Sequence, residues 1–111
     1  MTIKRGDIVY IKGCHCHDCS VQAGDRPAII VSNDKANIYS DVVEVVFLTS
    51  ARKTPLPTHV NVSALVKSTA LCEQVHSVSK SRIDRRFKTC TKYEMKAIDK
   101  ALKISLALTN N

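Results

Sequence analysis

Arg26 is the residue whose type and setting first suggest chemistry. It precedes Pro27 and a short apolar run, residues 28–31, which ends in Ser32-Asn33-Asp34. Gly24 can take the positive φ of a tight turn, and Pro27 fixes φ at the strand entrance. A rigid backbone there would aim a planar, permanently charged fork at an anion. A second set of polar groups, Thr49-Ser50, ends the apolar run of residues 42–48 and leads into Ala51-Arg52-Lys53-Thr54-Pro55. Hydroxyls at the end of a core strand are in the usual case ordinary strand-terminal residues. Glu73 and Gln74 lie among apolar residues, so burial would demand partners for both, an arginine being one for Glu73. His59 reads either as a general base or as a structural strand histidine. Residues 14–19, Cys-His-Cys-His-Asp-Cys, carry zinc-type ligands. Structural zinc sites pair two knuckles across a fold element, and this cluster stands alone, with Cys72 and Cys90 in other contexts. That favours incidental metal uptake or oxidation over a specific centre, and no metal or other cofactor is expected.

The elements that must position these groups fit one domain, residues 1–111, with one core. No apolar run approaches the roughly 18 residues of a membrane span, and Met1-Thr2-Ile3-Lys4-Arg5 passes straight into strand pattern without a signal-peptide core. The expected location is the cytoplasm. Five cysteines, an odd number, argue for free thiols in a reducing compartment. A formal net charge of +7 makes polyanions natural partners, whether nucleic acid or an acidic protein segment.

Taken in order, Ile8-Val9-Tyr10-Ile11 after Arg5-Gly6-Asp7 reads as a buried strand, and residues 12–26 as a long connection of the kind that carries function or is disordered. Asn33-Asp34 should cap a short helical turn reaching Tyr39. Residues 42–48 form the longest apolar strand, residues 56–62 alternate as a half-exposed strand, and residues 68–78 read as a strand pair or one bent strand. Residues 80–88 read as a basic connection. Thr91 and Glu94 fit a capping box that opens a helix to about residue 108. Its apolar arc is wider than packing on a sheet requires, which leaves surface for self-association.

Six segments, in this order, resemble the MazF/PemK family of toxin endoribonucleases. They are Lys-Arg-Gly-Asp-Ile-Val, Arg-Pro leading to Ser-Asn-Asp, the strand ending in Thr49, Leu-Pro-Thr-His-Val, Leu-Cys-Glu-Gln and the C-terminal Ile-Asp-Lys-Ala-Leu-Lys-Ile-Ser-Leu-Ala-Leu. The resemblance implies a mainly β fold with short helices, an SH3-like β-barrel of the MazF/PemK/CcdB type with a C-terminal α-helix, acting as a homodimer. It implies metal-independent, sequence-specific cleavage of single-stranded RNA to 2′,3′-cyclic phosphate and 5′-hydroxyl ends. An antitoxin with an acidic tail would neutralise it, and the complex would bind DNA. Arg26 and Thr49 match the family's catalytic pair. Gln22, Gly24 and Ser50 become candidate RNA contacts, with Arg52 and Lys53 beside them and Glu73, Gln74 and His76 on a further strand.

Two departures stand out. The family's loop glutamate, five residues before the arginine, is Val21 here, so the chain must do without that group in proton removal or recruit Asp18, His17 or Asp25. The family's arginine at position 76 is a histidine, which weakens an RNA contact or makes it pH-dependent. Two rivals remain at this stage. A CcdB-like gyrase poison shares the fold, and a zinc-stabilised RNA-binding module would use the Cys/His loop. Arg26, Thr49 and an apolar-rich C-terminal helix favour the nuclease.

Overall fold

Apolar runs without alternation imply strands covered on both faces, and the computed structural model has that architecture. It describes residues 2–13, 25–51 and 53–108. Along them run β1 (Asp7–Ile11), β2 (Arg26–Ile30), α1 (Asp34–Tyr39), β3 (Val42–Thr49), β4 (His59–Ser63), β5 (Lys67–Ser79), a 3-10 turn (Lys80–Arg82), β6 (Ile83–Thr89) and α2 (Lys92–Ser105). The strands form one antiparallel sheet of order β4-β5-β3-β2-β1-β6. Because successive side chains point to opposite faces, the central strands feed two cores. Ile8, Ile29, Val46 and Leu48 pack on one face with Ile98 and Ala101 of α2. Val9, Ile11, Ala28, Ile30, Val43 and Val45 pack on the other, joined by Ile3 and Val78.

The expected closed barrel is not formed: β4 and β6 are the two edges of an open sheet. Side chains from the start of α2 and from β6 take the hydrogen bonds that closure would need. Ser63, the last residue of β4, donates its backbone N–H to Glu94 Oε2 at 2.8 Å, and its carbonyl accepts from Lys88 Nζ at 2.5 Å. Side chains therefore satisfy backbone groups that a β4–β6 ladder would have used. Glu94 is committed twice, since its Oε1 accepts from the Thr91 N–H at 2.9 Å while Thr91 Oγ1 accepts from the Glu94 N–H at 3.1 Å. The predicted capping box is thus present.

Other boundaries also shift. β2 begins at Arg26 itself, so that residue lies on the ladder and not in the loop before it. Residues 68–78 belong to a single 13-residue strand, whereas β4 is confined to His59–Ser63. The basic connection is mostly strand β6, which pairs with β1 through two register shifts. Its pattern is almost wholly exposed, so backbone pairing and not burial makes it a strand. Asn33 caps α1 as expected, its Oδ1 accepting from the Ala36 N–H at 2.9 Å. α2 stops at Ser105, because Ala107 turns to φ 57°. Ile104, Leu106 and Leu108 remain exposed, along with Tyr93 near the helix start.

Candidate functional site

β2 places Arg26 opposite Ile11 of β1 on the sheet face that does not carry α2. The guanidinium lies over the ring of Phe47, with Cζ 4.5 Å from the centroid. Phe47 sits opposite Ala28 in β3, and His76 of β5 meets the same ring edge-on, with centroids 5.1 Å apart at 69°. Three adjacent strands therefore hold a cation, a phenyl ring and an imidazole on one face. A cation over an aromatic face is attracted to its quadrupole, so Phe47 restrains the guanidinium without neutralising it.

Thr49 ends β3 on the face of Phe47, two residues on. The β2–β3 ladder pairs Ile30 with Val45, Ile29 with Val46 and Ala28 with Phe47. The same register carried two residues further sets Arg26 across from Thr49. Thr49 Oγ1 accepts from the Ala51 N–H at 3.1 Å, which leaves its own proton to be donated elsewhere. A groove of about 600 Å³ opens beside it, lined by Thr49, Ser50, Lys53, Asn61, Lys67 and Thr69 among others. No carboxylate is among its described lining residues.

A smaller groove of about 260 Å³ adjoins, and Lys53 lines both. Glu73, Gln74, Leu56 and His59 line the smaller one. The expected arginine partner of Glu73 is replaced by two residues of the neighbouring segment. His59 Nε2 lies 3.1 Å from Glu73 Oε2, and Thr58 Oγ1 donates to Oε1 at 3.2 Å. Desolvation pushes the Glu73 pKa up, but its own backbone N–H, His59 and Thr58 together outweigh that and hold it below the usual range. These contacts favour the structural reading of His59, whose Nδ1 is buried without a partner.

Thr49, Ser50 and Lys53 thus share the larger groove, and Glu73 and Gln74 the smaller. His76 reaches Arg26 through Phe47, and neither Arg26 nor His76 lines either of these two grooves. Gln22, Gly24 and Arg52 lie outside the described residues, as do the Cys/His cluster of residues 14–19 and Val21. Burial pushes the thiols of Cys72 and Cys90 up to about 12, which makes them inert core residues. Among the described residues, no three His, Cys, Asp or Glu side chains gather where they could hold a metal ion. Sequence reasoning passed over Phe47 as one more apolar residue of a buried run. The usable signal was its spacing, two before Thr49, which puts the ring and the hydroxyl on one face.

The model of PemK-like, MazF-like toxins of type II toxin–antitoxin systems matches residues 4–106 of the chain. The chain is 37% identical, over 114 aligned residues, to an endoribonuclease MazF of Staphylococcus epidermidis, covering 97% of this chain and 94% of that one. Its structure is similar to that of a mycobacterial endoribonuclease solved in complex with its cognate antitoxin. The TM-score is 0.82 at 25% identity, over 98% of this chain and 99% of the other. A chain of a MazE–MazF crystal structure from Deinococcus radiodurans gives a TM-score of 0.78 at 18% identity, covering 98% and 99%, a likeness of fold.

Proposed function

The chain belongs to the PemK-like, MazF-like toxins of type II toxin–antitoxin systems, and on that footing we propose how its own residues cleave RNA. It is an endoribonuclease toxin neutralised by an antitoxin. The substrate in this reading is single-stranded RNA, cut in the cytoplasm without a metal cofactor. The observation that carries the reading is the placement of Arg26 and Thr49 on adjacent strands of one sheet face, with Thr49 lining a groove that holds lysines and, among the described residues, no carboxylate.

The 2′-hydroxyl oxygen of the substrate attacks the adjacent phosphorus and the bond from phosphorus to the 5′-oxygen breaks. A 2′,3′-cyclic phosphate and a 5′-hydroxyl result. Charge builds on the nonbridging oxygens as the new bond forms. Arg26 faces that charge with a guanidinium already held by Phe47. Thr49 donates its free proton to a nonbridging oxygen. The guanidinium stays protonated throughout, since its pKa is above about 12. The 2′-hydroxyl proton passes to a carboxylate, for which Asp25, exposed and adjacent to Arg26 in the chain, is a described candidate. The 5′-oxygen takes its proton from water. Both groups sit on strands, so their geometry is set before RNA arrives.

The partner is an antitoxin whose acidic segment competes with the RNA backbone for the same cations, given the net charge of +7. Self-association would use the exposed apolar residues at the end of α2 and just past it, Ile104, Leu106 and Leu108. The test is incubation of purified protein with a mixed RNA substrate, with and without EDTA. Cleavage that survives EDTA and leaves cyclic phosphate ends is expected. Activity lost in EDTA and restored by Mg²⁺ would overturn the metal-free chemistry, and no cleavage in either buffer would overturn the assigned substrate.

A further inference from the structure

Thr49 does more than end β3: it begins a row of polar residues that continues across the sheet. It pairs with Thr69 of β5, and Thr69 pairs on its other side with Asn61 of β4. Directly opposed residues share a face, so Arg26, Thr49, Thr69 and Asn61 follow one another over β2, β3, β5 and β4. At a strand spacing of ~4.8 Å the row runs on ~10 Å past Thr49. The last three residues all line the larger groove, with Lys53 and Lys67 beside them. We propose that RNA crosses the strands along this row, and that Thr69, Asn61 and Lys67 bind the segment on one side of the cut phosphate.

The chemistry of the groove selects such a ligand. The Thr69 hydroxyl and the Asn61 carboxamide can donate to phosphate oxygens and can both accept from and donate to 2′-hydroxyls. Lys67 and Lys53 supply positive charge, and no acidic residue of the lining opposes it. Thr69 is half-buried and Asn61 and Lys67 are exposed, so binding needs no rearrangement of the core. The inference rests on the proposed cleavage at Arg26 and Thr49, because the row begins there. These three are binding residues and take no part in proton transfer.

The test is steady-state cleavage by Thr69→Val, Asn61→Ala and Lys67→Ala, with one long RNA and two RNAs truncated on either side of the cut. Loss of one neutral hydrogen bond should raise KM for the long RNA about 3- to 10-fold, with kcat moving less. Lys67→Ala should also flatten the salt dependence of binding by about 0.7 in log–log slope. One of the two truncations should erase the difference between variants and wild type. Wild-type KM and salt slope in all three variants would overturn the inference, as would loss of antitoxin binding with RNA kinetics intact. Wild-type protein that cuts none of the RNAs would instead overturn the functional reading, so the two failures are distinct.

Discussion

Two arginines in this sheet lie over aromatic rings at nearly the same distance, Arg26 over Phe47 at 4.5 Å and Arg85 over Tyr10 at 4.6 Å. They sit on opposite faces and have different surroundings. Tyr10 is stacked on Phe87, with centroids 4.6 Å apart at 26°, and Phe87 packs against the core beneath α2. Arg85 caps that stack from solvent, and Asp84 Oδ2 neutralises it at 3.1 Å. Arg26 instead falls across from Thr49 when the β2–β3 register is extended by two residues, and Thr49 lines a groove with no carboxylate among its described lining residues. An arginine over a ring is therefore no signature of a site. The two arginines differ in a carboxylate counter-ion, which Asp84 supplies to Arg85 and no described residue supplies to Arg26, and in the hydroxyl that the neighbouring strand offers beside Arg26.

That contrast is tested most severely by removing each guanidinium in turn. Arg26→Ala should lower single-turnover RNA cleavage by at least ~10²–10³-fold, since a preorganised donor and its charge both go. Arg85→Ala should change it by less than about two-fold, as exposed substitutions away from special features seldom matter more. Circular dichroism and sedimentation on the same samples should show both variants folded and unaltered in assembly. Equal losses would abolish the distinction between the stacks. Near-wild-type cleavage by folded Arg26→Ala would remove the catalytic assignment.

The next largest effect belongs to Thr49, the feature that Arg26 has beside it where Arg85 has Asp84. Thr49→Ala should cost about 10²-fold in the same assay, toward the lower end for a single lost donor. Thr49→Ser should retain much of the activity, because its hydroxyl can still accept from the Ala51 N–H and donate outward. If serine fails as badly as alanine, the methyl group matters through packing, and the hydroxyl is not the donor.

The sequence made the central strands readable for a physical reason. β1, β2 and β3 bury both faces, so their residues are apolar in nearly continuous runs, β3 being interrupted only by Glu44. β6 buries almost nothing, and five cations in residues 80–88 disguised it as a loop. Barrel closure was unreadable because it depends on whether two edges meet. Here Glu94 and Lys88 occupy the backbone groups of Ser63 instead. Arg26 and Thr49 stood out as polar groups at the ends of apolar runs. Thr69 and Asn61 did not, because their alignment with Thr49 depends on a register shift in the β3–β5 ladder between Val46 and Leu48. The partner of Glu73 was hidden similarly. Thr58 and His59 precede and begin β4, and only the pairing of His59 with Leu71 brings them to the carboxylate.

The smallest effect sharpens the comparison most, because it asks whether Phe47 serves Arg26 or only the core. Phe47→Leu keeps most of the apolar volume, and such swaps usually cost less than about 1.5 kcal/mol in stability. It removes the π face under the guanidinium, a contact worth ~0.5–2 kcal/mol. If Arg26 needs that restraint, cleavage should fall about two- to thirty-fold while the protein stays folded. Phe47→Tyr should restore it, since the ring face survives. A merely structural Phe47 would lower stability without moving the single-turnover rate of the folded fraction. The decisive measurement is a double-mutant cycle, because two residues that act as a unit are not additive. In an Arg26→Ala background, Phe47→Leu should have no further effect on cleavage. Tyr10→Leu, which strips the ring from beneath Arg85, should leave the rate unchanged and lower only stability. A drop from Tyr10→Leu as large as that from Phe47→Leu would mean that cleavage responds to general loosening of the sheet, and Phe47 would lose its positioning role.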